Sequence, residues 1–130
     1  MTQTRPAILL FAHGARDPEW ARPFQAIKAA LVNLPSQPRV ELAFLELMQP
    51  GLPETAEALI REGFDALTVV PLFMAQGGHL KRDLPVLLDE LCARHPGLTI
   101  TLTPAIGEVP ELTAAIAQWV GSVVGASQGP

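Results

Sequence analysis

The 130-residue sequence has one cysteine, a charged fraction of only 17% and no surplus of positive charge. A single thiol, Cys92, makes no internal disulfide, so an apolar core has to hold the fold. Its neighbours Leu87, Leu88 and Leu91 mark it as a small core residue rather than a nucleophile. The formal net charge of −4 argues against a nucleic-acid partner. No apolar run approaches the ~20 residues of a membrane span, and no N-terminal stretch joins basic residues, an apolar segment and a small-residue cleavage site. The expected location is the cytoplasm, away from membranes. Also missing are a G-x-S-x-G elbow, a G-x-x-x-x-G-K-[ST] phosphate loop and a G-x-G-x-x-G after the first apolar run, which removes the commonest hydrolase, nucleotide and dinucleotide readings.

What is present is apolar: 48% of residues are hydrophobic, enough for one core and for some covered subunit surface. The run Ala7-Ile8-Leu9-Leu10-Phe11-Ala12 shows no alternation, as in a strand covered on both faces. Asp17 can cap a turn opened by Pro18. Because Pro23 would break a longer helix, the next one is expected from about Arg22, with Phe24, Ile27 and Leu31 as its stripe. Val40, Leu42 and Phe44 alternate as in a partly exposed edge strand ending near Glu46. Pro53 opens a helix that carries Leu52, Ala56, Leu59 and Ile60 until Gly63 stops it.

Ala66 to Phe73 reads as a third strand, followed by a loop through Arg82 that presents His79. Its two glycines, Gly77 and Gly78, allow unusual backbone conformations. Asp83 is the expected N-cap of a helix with Leu84, Leu87, Leu88 and Leu91 inward, closed by a solvent-facing His95. Leu98, Ile100 and Leu102 give a fourth strand. Pro110 opens a last helix with Leu112, Ile116, Trp119, Val120 and Val123 inward, and residues from Ala126 to Pro130 are expected to be loose. Four strand–helix units of roughly 30 residues call for an α/β fold, a four-stranded parallel sheet with helices on both faces.

In such a sheet His13, Glu46 and His79 fall at the C-terminal ends of successive strands, on one edge. Two imidazoles and a carboxylate are a borderline N/O ligand set for cobalt, nickel or iron that leaves coordination positions open. Arg16 and Arg22 flank His13, and Lys81 and Arg82 follow His79, so an anionic ligand is expected at the same edge.

Phe11-Ala12-His13-Gly14-Ala15-Arg16-Asp17 together with Phe73-Met74-Ala75-Gln76-Gly77-Gly78-His79-Leu80-Lys81-Arg82-Asp83 resembles the class II chelatases, in particular the small sirohydrochlorin cobaltochelatase and ferrochelatase group of CbiX/SirB type. The resemblance runs over about residues 7–124. It implies that residues 1–130 form a single flavodoxin-like chelatase lobe, which pairs with a second copy as a homodimer around a tetrapyrrole cleft. The implied activity is insertion of cobalt or ferrous iron into a sirohydrochlorin-type ring, in cobalamin or siroheme biosynthesis, with no cofactor beyond the divalent metal substrate. The family's metal-binding histidines map onto His13 and His79, and a carboxylate found in some members maps by position onto Glu46. The substrate's carboxylates would meet Arg16, Gly77, Gly78, Lys81 and Arg82, and Leu47, Met48, Phe73 and Met74 would form the apolar walls. Ala15 departs from the serine many relatives carry after His-Gly. A binding module without turnover, or an accessory subunit of the same fold, is the alternative.

Overall fold

In the computed structural model, which describes residues 3–127, four strands form one sheet in the order β2-β1-β3-β4. These are β1 (Pro6–Ala12), β2 (Val40–Phe44), β3 (Ala66–Pro71) and β4 (Thr99–Leu102), and all three pairings are parallel. Ile8 stands between Val40 on one side and Thr68 on the other. The strand order reverses direction between β1 and β3. A crevice therefore opens outside the carboxyl ends of those two strands, the place where open α/β sheets bind ligands.

Helix α1 (Arg22–Val32) lies against one face of the sheet, and α2 (Leu52–Arg61) and α3 (Gly78–Arg94) against the other. The second face is closed: Leu9, Phe11, Leu67 and Val69 of the strands and Leu52, Leu59, Leu84 and Leu91 of the helices are all almost fully buried. Each such side chain stabilises the fold by roughly 1.5–3 kcal/mol relative to exposure. The α1 face is more open. Trp20 packs on Phe24 with ring centroids 4.6 Å apart, yet no residue of α1 is buried and Ile27 is 39% exposed.

Several local expectations hold at atomic detail. The Asp17 carboxylate accepts from the Glu19 amide at 3.0 Å and caps the 3-10 turn Pro18–Ala21, with α1 following at Arg22. Gly63, at φ 98°, ends α2 in a left-handed conformation that other residues rarely take. Strand β2 is an edge strand as expected, but it is not partly exposed. Val40, Leu42, Ala43 and Phe44 are buried because α1 covers one of its sides and α2 the other.

Two elements correct the sequence reading. Helix α3 begins at Gly78, not after Asp83, so His79, Lys81 and Arg82 sit in its first turns rather than on a loop. The Lys81 amide already donates to the Gly77 carbonyl at 3.0 Å. Pro85 is consequently taken inside the helix, a cost of about 3 kcal/mol that burial of Leu84 and partial burial of Leu80 on the same face offset. Helix α4 (Pro110–Ser127) forms as expected but does not turn inward: Leu112, Ile116, Trp119, Val120 and Val123 are all 42–67% exposed. Periodicity reports that a helix has an apolar side, not what that side meets. Ala126 and Ser127, expected to be loose, are the last residues of α4, and residues 128–130 lie outside the described part.

At the opposite end of the sheet, Arg39 forks onto Glu62 at 2.8 and 3.0 Å and reaches Glu41 at 2.9 Å. Arg39 and Arg5 both lie over the Phe64 ring, at 5.2 and 4.5 Å. The Arg39 hydrogen bond, supported by charge attraction, holds the Glu62 carboxyl below its ordinary value of 4.5. Among the described residues no helix is long and apolar enough to cross a membrane.

Candidate functional site

The β1–β2 ladder continues past both strand ends: Leu45 donates to the Ala12 carbonyl at 2.9 Å and Glu46 to the His13 carbonyl at 3.1 Å. This lashes the two strand-end loops together. Gly14 makes the approach possible, since its φ is 97° and a β-carbon there would run into the Glu46 carbonyl oxygen. On the far side of Glu46, the Met48 amide donates to that same carbonyl at 2.8 Å and closes a three-residue turn around Leu47, whose φ is 65°. A γ-turn with positive φ is rare and strained, and a leucine in it is rarer still.

The product of this local geometry is a side-chain pair. His13 Nε2 stands 3.0 Å from Glu46 Oε1, with both side chains a little over half exposed. If Nε2 carries the ring proton it donates to the carboxylate, and Nδ1 keeps a lone pair. The separation also has a meaning for a metal ion. Two donor atoms each about 2.1 Å from one ion and at right angles to each other lie about 3.0 Å apart, so the pair can take adjacent positions on an octahedral ion with little movement.

Phe73 carries this pair on the β3 side. Its ring meets His13 edge to face, centroids 6.3 Å apart at 78°, and packs the same way on Phe11 at 5.6 Å and 74°. The segment after β3 is pinned as well: Gly107 donates to the Phe73 carbonyl at 3.0 Å, and a β-carbon at Gly107 would strike the Met74 carbonyl. Phe73 is thus a buried support, not an apolar wall of an open cleft. Of the other expected wall residues, Leu47 (58%) and Met74 (64%) are exposed at this edge, and Met48 is half-buried.

His79 lies in the exposed first turn of α3, where Arg82 Nη2 approaches its Nδ1 at 3.3 Å. The structure joins His13 to Glu46 and leaves His79 outside that pair. Among the described residues no three His, Cys, Asp or Glu side chains come close enough together to hold a metal ion.

Arg16, Lys81 and Arg82 are exposed, whereas Arg22 is turned onto Glu19 in a 2.7 Å ion pair. Gly77 and Gly78 differ from their expected role. Gly77 has φ −68°, open to any residue, and a β-carbon at either position would meet nothing. What they contribute is bare backbone at the N-terminus of α3, where first-turn amides lack helical partners. His95, expected to face solvent, is a half-buried C-cap whose Nε2 lies 3.0 Å from Glu57, and the hydrogen bond lowers the Glu57 carboxyl.

Beside Glu46 a cavity of about 370 Å³ opens between the 45–54 segment and α3, lined by Phe11, Phe44, Met48, Leu52 and Leu87. The strained turn at Leu47 and the close approach at Gly14 were not read from sequence. The signal for the second is the adjacency His13-Gly14 directly after a buried strand.

Residues 7–123 match the CbiX family model. The chain is 33% identical over 122 residues to a sirohydrochlorin cobaltochelatase of Sulfurisphaera tokodaii, covering 92% of this chain and 95% of that protein. It is 31% identical to a sirohydrochlorin ferrochelatase of Bacillus subtilis, covering 86% of this chain and 43% of that longer protein. A crystal structure of a cobalamin (vitamin B12) biosynthesis CbiX protein from Marinobacter aquaeolei VT8 superposes with a TM-score of 0.79 at 34% identity, over 95% of this chain and 98% of that one.

Proposed function

This chain belongs to the CbiX family, and we propose that it inserts cobalt or ferrous iron into a sirohydrochlorin-type tetrapyrrole, a step of cobalamin or siroheme biosynthesis. The observation that carries the reading is the His13–Glu46 pair, clamped at 3.0 Å beside the β1/β3 crevice by the Gly14 approach. A neutral imidazole and a carboxylate in adjacent positions hold a hydrated divalent ion and leave its other positions for pyrrole nitrogens. The ring loses two pyrrole protons as the ion enters. His13 and Glu46, released from the metal as the ring takes it over, are the bases within reach.

The rim supports an anionic apolar substrate: Leu47 and Met74 offer exposed apolar surface, and Arg16, Lys81 and Arg82 offer cations for ring carboxylates. The bare amides of Gly77 and Gly78 at the α3 N-terminus add to that rim. His79, next to this rim, is assigned as the second metal-binding imidazole, engaged when substrate closes the site.

The functional unit is proposed to be a homodimer. The chain matches 95% of the Sulfurisphaera tokodaii protein and 43% of the longer Bacillus subtilis relative, whose length has room for a second such lobe. A second lobe supplies the facing wall. The test is the absorbance of sirohydrochlorin with cobalt, nickel or ferrous ion, with and without the protein. Insertion above the uncatalysed background supports the reading, and binding without a spectral change to the metallated ring refutes turnover.

A further inference from the structure

One face of the sheet and one helix are left unmatched in the single copy. Between α1 and the sheet lies an apolar groove of about 550 Å³ on Ile8, Leu10, Val70, Ile27 and Leu31. Parallel sheets are ordinarily covered on both faces, and α1 alone does not close this one. Helix α4 is the converse: every residue from Glu111 to Gly125 is exposed, and the 3-10 turn Ile106–Glu108 is its main packing partner. Leu112, in its first turn, reaches the groove rim, and the rest of the helix leads away.

We propose that α4 is exchanged between two copies, each filling the other's α1–sheet groove. Composition favours a second copy over α4 folding back onto its own sheet. Apart from Glu111 in its first turn, α4 carries no charge at all, and the side opposite Trp119 and Ile116 is made of alanine, glycine, serine and glutamine. A helix that is apolar or small on all sides is a buried helix. Self-closure covers one side only, while exchange places α4 between its own body and its partner's. Val109 and Pro110, between the Ile106–Glu108 turn and the helix, are the hinge.

The size is sufficient. An 18-residue helix is about 27 Å long and about 10 Å wide, so two reciprocal exchanges bury on the order of 1,000 Å² or more, the range of specific interfaces. Because the Ile106–Glu108 turn that leads into α4 is tied to Phe73 through Gly107, the exchange also holds the two crevice edges near one another. This inference rests on the proposed pairing of two copies and names the element that makes it.

Light scattering on the full chain should give a dimer, and Trp119→Asp should weaken it at least ~100-fold with the helical circular dichroism retained, since Trp119 is 67% exposed within one copy. The deciding experiment unfolds and refolds together equimolar ¹⁴N and ¹⁵N protein carrying Cys92→Ser and Ser122→Cys, labels the thiol with a benzophenone and irradiates. Exchange predicts crosslinks from α4 to α1 or β1 peptides, about half of them pairing the two isotopes. A dimer whose crosslinks are all of one isotope, or which makes none to those peptides, overturns the exchange and leaves the pairing standing. A monomer overturns both.

Discussion

The imidazole of His13 and the carboxylate of Glu46, 33 residues apart in the chain, meet at 3.0 Å because the backbones beneath them touch. Glu46 donates to the His13 carbonyl, and the room for that contact is the hydrogen atom of Gly14. Most of the chemistry attributed to this chain depends on that contact.

Replacing Gly14 with alanine is therefore expected to damage site and fold together. A β-carbon there strikes the Glu46 carbonyl in a conformation alanine avoids, a cost of about 1–3 kcal/mol. Urea unfolding should show the lower midpoint, and cobalt insertion should fall more than the loss of folded protein accounts for. An alanine variant as stable and active as the parent contradicts the clamp.

His79 behaves differently, because it is exposed in the first turn of α3 and supports nothing in the core. His79→Ala should leave the unfolding free energy within about 0.5 kcal/mol of the parent while insertion drops by about 100-fold or more. Insertion at the parent rate removes His79 from the metal path.

The exposed cations at the rim predict a salt-dependent Michaelis constant. Arg16→Ala combined with Lys81→Ala should raise KM several-fold with little change in kcat, and raising ionic strength should weaken the parent toward the variant. An unchanged KM places the substrate's carboxylates elsewhere.

Far from the crevice, Glu62 sets an acid limb of stability. Its carboxyl is lowered below 4.5 in the folded protein by Arg39, so its contribution is full above that value and is lost as pH falls through the lower folded value. Glu62→Gln should be less stable than the parent at pH 7 and should lose less stability than the parent on acidification below about 4.5. Parallel acid limbs in the two proteins, followed by chemical denaturation, would refute this role.

The strands were legible because an uninterrupted run such as Ala7–Ala12 is buried from both sides wherever it sits. The edge holding His13 and Glu46 was legible for the same reason: parallel topology dictates it. The start of α3 was hidden by Pro85, which argues locally for a later start and yields to the burial of Leu84. The course of α4 was hidden more deeply. Its stripe of Leu112, Ile116 and Trp119 is plain in the sequence, but nothing in one chain says which surface the stripe meets. The pairing of His13 with Glu46 before His79 was likewise beyond sequence, since it depends on a backbone contact at Gly14 and a strained turn at Leu47.

The most direct test of the chelatase reading is the initial rate of cobalt insertion into sirohydrochlorin, followed by absorbance, for the parent and for His13→Ala. The parent is expected to exceed the uncatalysed rate, and His13→Ala to fall to that background while keeping its circular dichroism. Equal rates for the two proteins would contradict the assignment of metal delivery to the His13–Glu46 pair.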